Sequence, residues 1–256
     1  MNNNNFHNTL IPKITTVLKH EIDKFTLDDM GGGYKAYSIK HPSKELSLAA
    51  QAAIYDAYVP LTTYAFGADM TLYWRARKEE QYMERAEELV LVVDKNDDLV
   101  GWTSYSLVKA DKSTIVYNDS SGITPPHQKN KLMGRLFQKR VSDCIAEYAD
   151  KNIPLLFATR TETPVMYSMQ KKLTDTLYPS PDYPTPDFIS DQALIMADWL
   201  GQKDKLDKKS LIIRNAYAML DELYGELPSS GDDVLDHWIR HELGPLDAFL
   251  LIGVGN

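Results

Sequence analysis

Apolar residues recur at two periods along this chain, and the alternation between those periods predicts most of its elements. Leu10, Ile14, Val17-Leu18, Ile22 and Phe25 fall at helical spacing, with Pro12 tolerable only in a first turn. The stripe this helix carries must be covered by the body of the protein or by a second copy, so a homodimer is one expectation. Gly31-Gly32-Gly33 neither follows a predicted strand nor opens a helix, so it reads as a flexible joint rather than a phosphate loop. Tyr34–Lys40 is the first predicted strand, and 43–58 a helix with Ser43 as N-cap. An aromatic loop at 59–67 and a strongly charged helix at 69–88 follow. The clearest hairpin comes next, with Val/Leu-rich strands at 89–94 and 99–109 around the turn 95–98. Strands are also predicted at 113–117, 154–159, 211–217 and Ala248–Val254, and helices at 163–173, 188–200 and 232–242. The run 178–187, with four prolines, reads as a stiff connector or a pocket rim.

The stretch 117–140, YNDSSGITPPHQKNKLMGRLFQKR, carries the candidate chemistry. A strand rich in β-branched residues leads into Gly122 and Pro125-Pro126, which stop regular structure. Leu132, Leu136, Phe137, Val141 and Ile145 then mark a helix running to about Ala149. The first amides of that helix lack intrahelical acceptors and, with the helix dipole, form a seat for an anion such as a diphosphate. Lys129, Lys131, Arg135, Lys139 and Arg140 crowd the same place, where cations oppose the dipole unless an anion is present. The alternative is an ordinary strand–loop–helix unit with a solvated basic start.

Ile123-Thr124-Pro125 followed by His127-Gln128 at a helix entry resembles the acyl-CoA motif of the GNAT N-acetyltransferases. That family's loop reads [Q/R]-x-x-G-x-[G/A]. Gln128 fits its first position but leaves Lys131 and Met133 at the small ones. The register starting at Lys129 recovers Gly134 and loses the Gln. The element order over about 34–173 also resembles the GNAT succession. The resemblance implies an α/β GNAT fold, a mixed and mostly antiparallel sheet flanked by helices. An N-terminal tail and helix (1–30) precede one acyltransferase domain (31–256), whose part from 174 onward elaborates the core. It implies acetyl-CoA, or another acyl-CoA, as cosubstrate without a metal, and direct attack by a small-molecule amine. The cofactor contacts it implies are Gly122, Ile123, Gln128, Lys129, Asn130, Lys131, Leu132, Met133, Gly134 and Thr163. Tyr64, Phe66 and Trp74 are implied as an acceptor wall, with core packing as the alternative. The family's usual phenol position is occupied by Gln170, so Tyr167, one turn earlier, is the substitute acid, again with packing as the alternative. Asp119, at the strand end, is the candidate base or else a turn carboxylate. O-acylation, a degenerate site and a noncatalytic binding module are the competing readings.

Composition narrows this further. A net charge of -8 argues against nonspecific nucleic-acid binding. The single Cys144 rules out an internal disulfide and suits a reducing compartment, and no apolar run reaches membrane length. A cytoplasmic protein is the expectation. His237 and His241 stand at i, i+4 with Glu242 beside them, but no third ligand is signalled and a surface pair is the reading.

Overall fold

The computed structural model describes residues 11–148 and 153–255. In chain order it contains α1 (Ile14–Leu18), β1 (Thr26–Gly31), β2 (Tyr34–Lys40), α2 (Pro42–Glu45), α3 (Leu48–Phe66), α4 (Thr71–Glu79) and α5 (Tyr82–Arg85). Next come β3 (Glu88–Val93), β4 (Leu99–Ala110), β5 (Ser113–Ile123), α6 (Leu132–Tyr148), β6 (Leu155–Thr161) and α7 (Pro164–Lys171). The chain closes with β7 (Thr176–Tyr178), α8 (Asp187–Trp199), β8 (Leu206–Asp207), β9 (Ile212–Ile213), α9 (Asp233–Glu242) and β10 (Ala248–Val254). The expected mixed, mostly antiparallel sheet with flanking helices is found.

Two compact units divide the chain. The first comprises 11–106, 119–135 and 223–226. Its strands β1, β2, β3 and β4 pair antiparallel in sequence order. Every residue of β3 is buried, as a Val/Leu run covered on both faces requires. The three glycines 31–33 correct the expectation of a joint. All have positive φ, and they close the tight β1–β2 hairpin that the periodicity reading missed. The N-terminal helix is shorter than its apolar repeat suggests: α1 gives way to a 3-10 segment at Lys19–Lys24. Leu10 lies outside the described residues. Ile14, Val17 and Leu18 are buried and α1 packs on α3, which answers how its stripe is covered.

The helix predicted at 43–58 starts later and runs further. Ser47, not Ser43, caps α3 by accepting from the Ala50 amide at 3.2 Å, and its hydroxyl donates to Glu21 Oε1 at 2.5 Å. Pro60 lies inside α3, so the expected aromatic loop is helix down to the left-handed cap Gly67. The charged helix expected at 69–88 is instead α4 and α5 separated by Gln81 at φ +59°.

The second unit comprises 107–118, 136–222 and 227–255. Here β5 and β6 run parallel, from the pair Thr114–Leu155 to the pair Asn118–Thr159. A right-handed crossover is the usual connection for such a pair, and α6 lies between the two strands in sequence. On its other side β6 pairs antiparallel with β10, and β10 with β9. The strand favoured at 211–217 is therefore real but only two residues long. Tyr167, Leu177, Ile212, Ile239, Phe249 and Leu251 form this unit's buried cluster, with Trp238 stacked on Phe249 at 5.1 Å.

Candidate functional site

The first unit holds the predicted anion loop. Strand β5 extends six residues beyond the predicted end at Tyr117, to Ile123. Asn118, Asp119 and Ser120 are polar yet stay extended, because ladder position rather than propensity decides them. Trp102 Nε1 donates to Ser120 Oγ at 2.9 Å. A side chain at Gly122 would put its Cβ 2.3 Å from the Trp102 ring, so only glycine fits there.

After β5 the chain is pinned at several points. Thr124 donates from both amide and hydroxyl to Val100 O, at 2.9 and 3.2 Å. Gln128 Nε2 donates to Ile123 O at 3.0 Å, so this predicted cofactor residue fastens the loop back onto β5. The Tyr34 hydroxyl lies 2.9 Å from His127 Nδ1 and accepts from Asn130 Nδ2 at 3.0 Å. Arg135 donates to Asn130 O at 3.0 Å and to Met30 O. These bonds hold a 3-10 segment, Pro125–Asn130, that ends at Lys131 with φ +56°. Helix α6 begins there with no acidic residue in its first turn. Leu132 is buried and anchors the helix start, while Lys129, Asn130 and Lys131 are exposed and Met133 and Gly134 half-buried. A Cβ built on Gly134 meets nothing within 4 Å, which leaves open space beside the first amides of α6. A pinned entry, helix-start amides that lack intrahelical acceptors and room beside a glycine suit a phosphate-bearing group.

Asp119 belongs to the same unit but is not an open carboxylate. Its Oδ2 is bound by Arg77 Nη2, and both side chains are 2% exposed. Asp119 Oδ1 is buried with no hydrogen-bond partner among the described residues. Arg77 also donates to Glu80 Oε2 at 2.6 Å. The turn-carboxylate alternative gives way to a buried ion pair across 42 positions, for which the sequence offers no local signal. Of the proposed acceptor wall, Trp74 is 2% exposed and donates to Thr62 Oγ1 at 2.8 Å. Its ring lies 4.4 Å from that of Tyr58, so the packing alternative describes it. Tyr64 and Phe66 are half-buried on the last turns of α3, with the Phe66 ring 4.9 Å from Tyr224.

In the second unit, Thr163, implied as a cofactor contact, caps α7, its hydroxyl accepting from the Met166 amide at 3.2 Å. Tyr167 sits in the buried cluster and donates to Pro179 O at 2.9 Å. Burial pushes its phenol up to about 12. Its ring and hydroxyl are thus both engaged in packing, the alternative weighed for this residue. Glu162, between β6 and α7, was passed over in the sequence. It is half-buried, and burial pushes its carboxyl up to about 7. The available signal was one acid set between a buried strand and the Thr163-Pro164 helix start.

No family model and no curated protein matches this sequence. Solved structures do. Several of the solved structures similar to this chain are acetyltransferases, one of them named as a GNAT family N-acetyltransferase. One is ribosomal-protein-S5-alanine acetyltransferase from Vibrio fischeri, at 14% identity and TM-score 0.38, over 59% of this chain and 85% of that one. A GNAT family N-acetyltransferase from Escherichia coli in complex with CoA matches at 14% and 0.34, over 44% and 60%. An aminoglycoside 6'-N-acetyltransferase from Acinetobacter baumannii matches at 11% and 0.37, over 55% and 89%. Against the GNAT loop pattern, the register from Gln128 puts Lys131 and Met133 at the small positions, and the register from Lys129 puts Leu132 and Gly134 there. Among the described residues no helix is long and apolar enough to cross a membrane.

Proposed function

We propose that this protein is an acyl-CoA-dependent N-acyltransferase, with acetyl as the acyl group and a small amine as acceptor. One observation carries the reading. Strand β5 continues to Ile123 after its last pair with β6 at Asn118, and a pinned turn then delivers the chain to the acid-free start of α6, open above Gly134. An extended strand edge suits the amide-bearing pantetheine arm, which can add to it as a strand does. The first amides of α6, with Lys129 and Lys131 nearby in sequence, suit the diphosphate. Gly122 and Ile123 would lie along the arm, and Leu132, Met133 and Gly134 would offer backbone N–H groups. Bound acyl-CoA supplies the thioester. The chain's own part is to align the two reactants, which already removes much of the barrier, and to receive the proton of the amine.

The test is calorimetric titration of acetyl-CoA into the wild type and Gly134→Glu. A carboxylate in the first turn favours the helix dipole, so the variant keeps its melting temperature. It occupies the space and repels the diphosphate, so affinity falls at least about tenfold, or about 1.4 kcal/mol. A wild type that does not bind acetyl-CoA refutes the proposal, as does a variant that binds it equally well.

A further inference from the structure

The run 178–187, which reads in the sequence as a stiff connector or a pocket rim, borders a cavity of about 230 Å³. All the residues that line this cavity belong to the second unit. Pro179, Tyr183 and Pro184 form one wall. The Tyr183 hydroxyl donates to Leu177 O at 3.0 Å, and the Asp182 amide donates to Ser180 Oγ at 3.1 Å, so that wall is fixed from within. Lys209, in the turn after β8, supplies another. There Asp207 Oδ1 accepts from the Lys209 amide at 2.9 Å, and Ser190 Oγ donates to Lys208 O at 3.1 Å. Trp238 of α9 and Phe249 of β10 complete the lining, stacked at 17° with 5.1 Å between ring centroids. Phe249 is itself held in the sheet, opposite Ile212 on one side and Thr161 on the other. Every wall is kept in place by bonds or packing that need no ligand, so the space is formed in advance.

The groups facing it are left open. Trp238 is half-buried: Phe249 covers one face and Tyr167 meets its ring edge-on at 5.4 Å. Among the described residues no hydrogen bond engages its indole N–H. Lys209 is exposed, and no carboxylate among the described residues engages its ammonium. Glu242 closes α9, where a negative charge opposes the helix dipole. Its one charged neighbour among the described residues is His241 at 3.7 Å, a cation only when protonated. Lys209 and Glu242 thus border one small cavity without being paired with each other. A ligand carrying both signs of charge satisfies both, and a flat ring satisfies the indole. An anion such as phosphate would meet the lysine and be repelled by Glu242. A neutral sugar would stack on the indole and leave both charges unmatched.

We infer that this cavity binds a free α-amino acid with an aromatic side chain, its carboxylate on Lys209, its ammonium on Glu242 and its ring against Trp238. The volume is below the usual range for drug-sized ligands and suits one small metabolite. The inference uses the second unit alone and does not rest on the acyltransferase reading.

The experiment uses the full chain, L-phenylalanine and three analogues that each lack one feature: phenethylamine without the carboxylate, 3-phenylpropionate without the ammonium, and L-alanine without the ring. Calorimetric titration with L-phenylalanine should saturate with a Kd of about 1 mM or tighter. Each analogue should bind at least about tenfold more weakly, because it leaves one group of the site unmatched. Lys209→Gln should lose affinity for L-phenylalanine by about the same factor and keep that for phenethylamine. Glu242→Gln should lose it likewise and keep that for 3-phenylpropionate. Both side chains are exposed, so both variants should keep the wild-type melting temperature. By NMR, the Trp238 indole N–H signal, assigned with Trp238→Phe, should shift with L-phenylalanine. Absence of saturation up to about 10 mM overturns the inference. So does equal binding of L-phenylalanine and either charged analogue, or an unmoved Trp238 signal. Tighter binding of N-acetylglucosamine than of L-phenylalanine overturns it in favour of a saccharide site. Failure to bind acetyl-CoA would leave this inference standing, and failure to bind L-phenylalanine would leave the acyltransferase reading standing.

Discussion

Replacing Glu162 by Gln should make the protein more stable, and only at neutral and alkaline pH. In the unfolded chain its carboxyl titrates at the ordinary value of 4.5, and in the folded protein at about 7. The folded pKa is the higher one, so the folded state holds the proton more tightly. Below the unfolded value both states are protonated and the residue imposes no penalty. As pH rises from 4.5 towards 7 the unfolded chain ionises first, and the folded state loses stability until its own carboxyl ionises. At about 1.4 kcal/mol for each tenfold step in proton affinity, the loss approaches about 3 kcal/mol; partial exposure brings it nearer to about 2 kcal/mol. Gln has nearly the same shape and no charge to bury. Urea denaturation at about pH 4 should give wild type and Glu162→Gln similar midpoints, while at about pH 8 the variant should gain about 2 kcal/mol. A gain of equal size at both pH values would refute the linkage, because packing rather than ionisation would then be its cause.

Three further outcomes follow from single contacts. Arg77→Ala leaves the Asp119 carboxylate buried without its cation and should cost about 3–5 kcal/mol in chemical denaturation, whereas Arg77→Met with Asp119→Leu should recover most of that loss. Gly122→Ala drives a methyl group into the Trp102 ring and should cost about 1–3 kcal/mol, seen as a lower melting temperature with altered tryptophan fluorescence. Ser47→Ala removes the cap of α3 and the hydroxyl that donates to Glu21, at about 1–2 kcal/mol by the same denaturation assay.

The sequence by itself determined the elements whose period is long and unbroken. The β3–β4 hairpin, the α6 stripe, the Thr163-Pro164 helix start and the terminal strand β10 were all legible, because each is set by residues adjacent in the chain. The strand–turn–helix unit from β5 to α6 was legible for the same reason: strand, breaker and basic helix start are contiguous. Where the reading erred, a distant partner decided. Gly31–Gly33 became a hairpin turn because β2 needed a neighbour, and β5 ran on through polar residues because the ladder held them. Tyr167 had the spacing of an acid, but Pro179 O and the cluster around Phe249 took its hydroxyl and ring. Asp119 met Arg77 from 42 positions away, and Glu162 met no partner at all among the described residues. Burial and long-range pairing set the electrostatics of a side chain. They exist only once the chain has folded, so tertiary structure alone could show that one carboxylate is held in an ion pair while burial raises the pKa of the other.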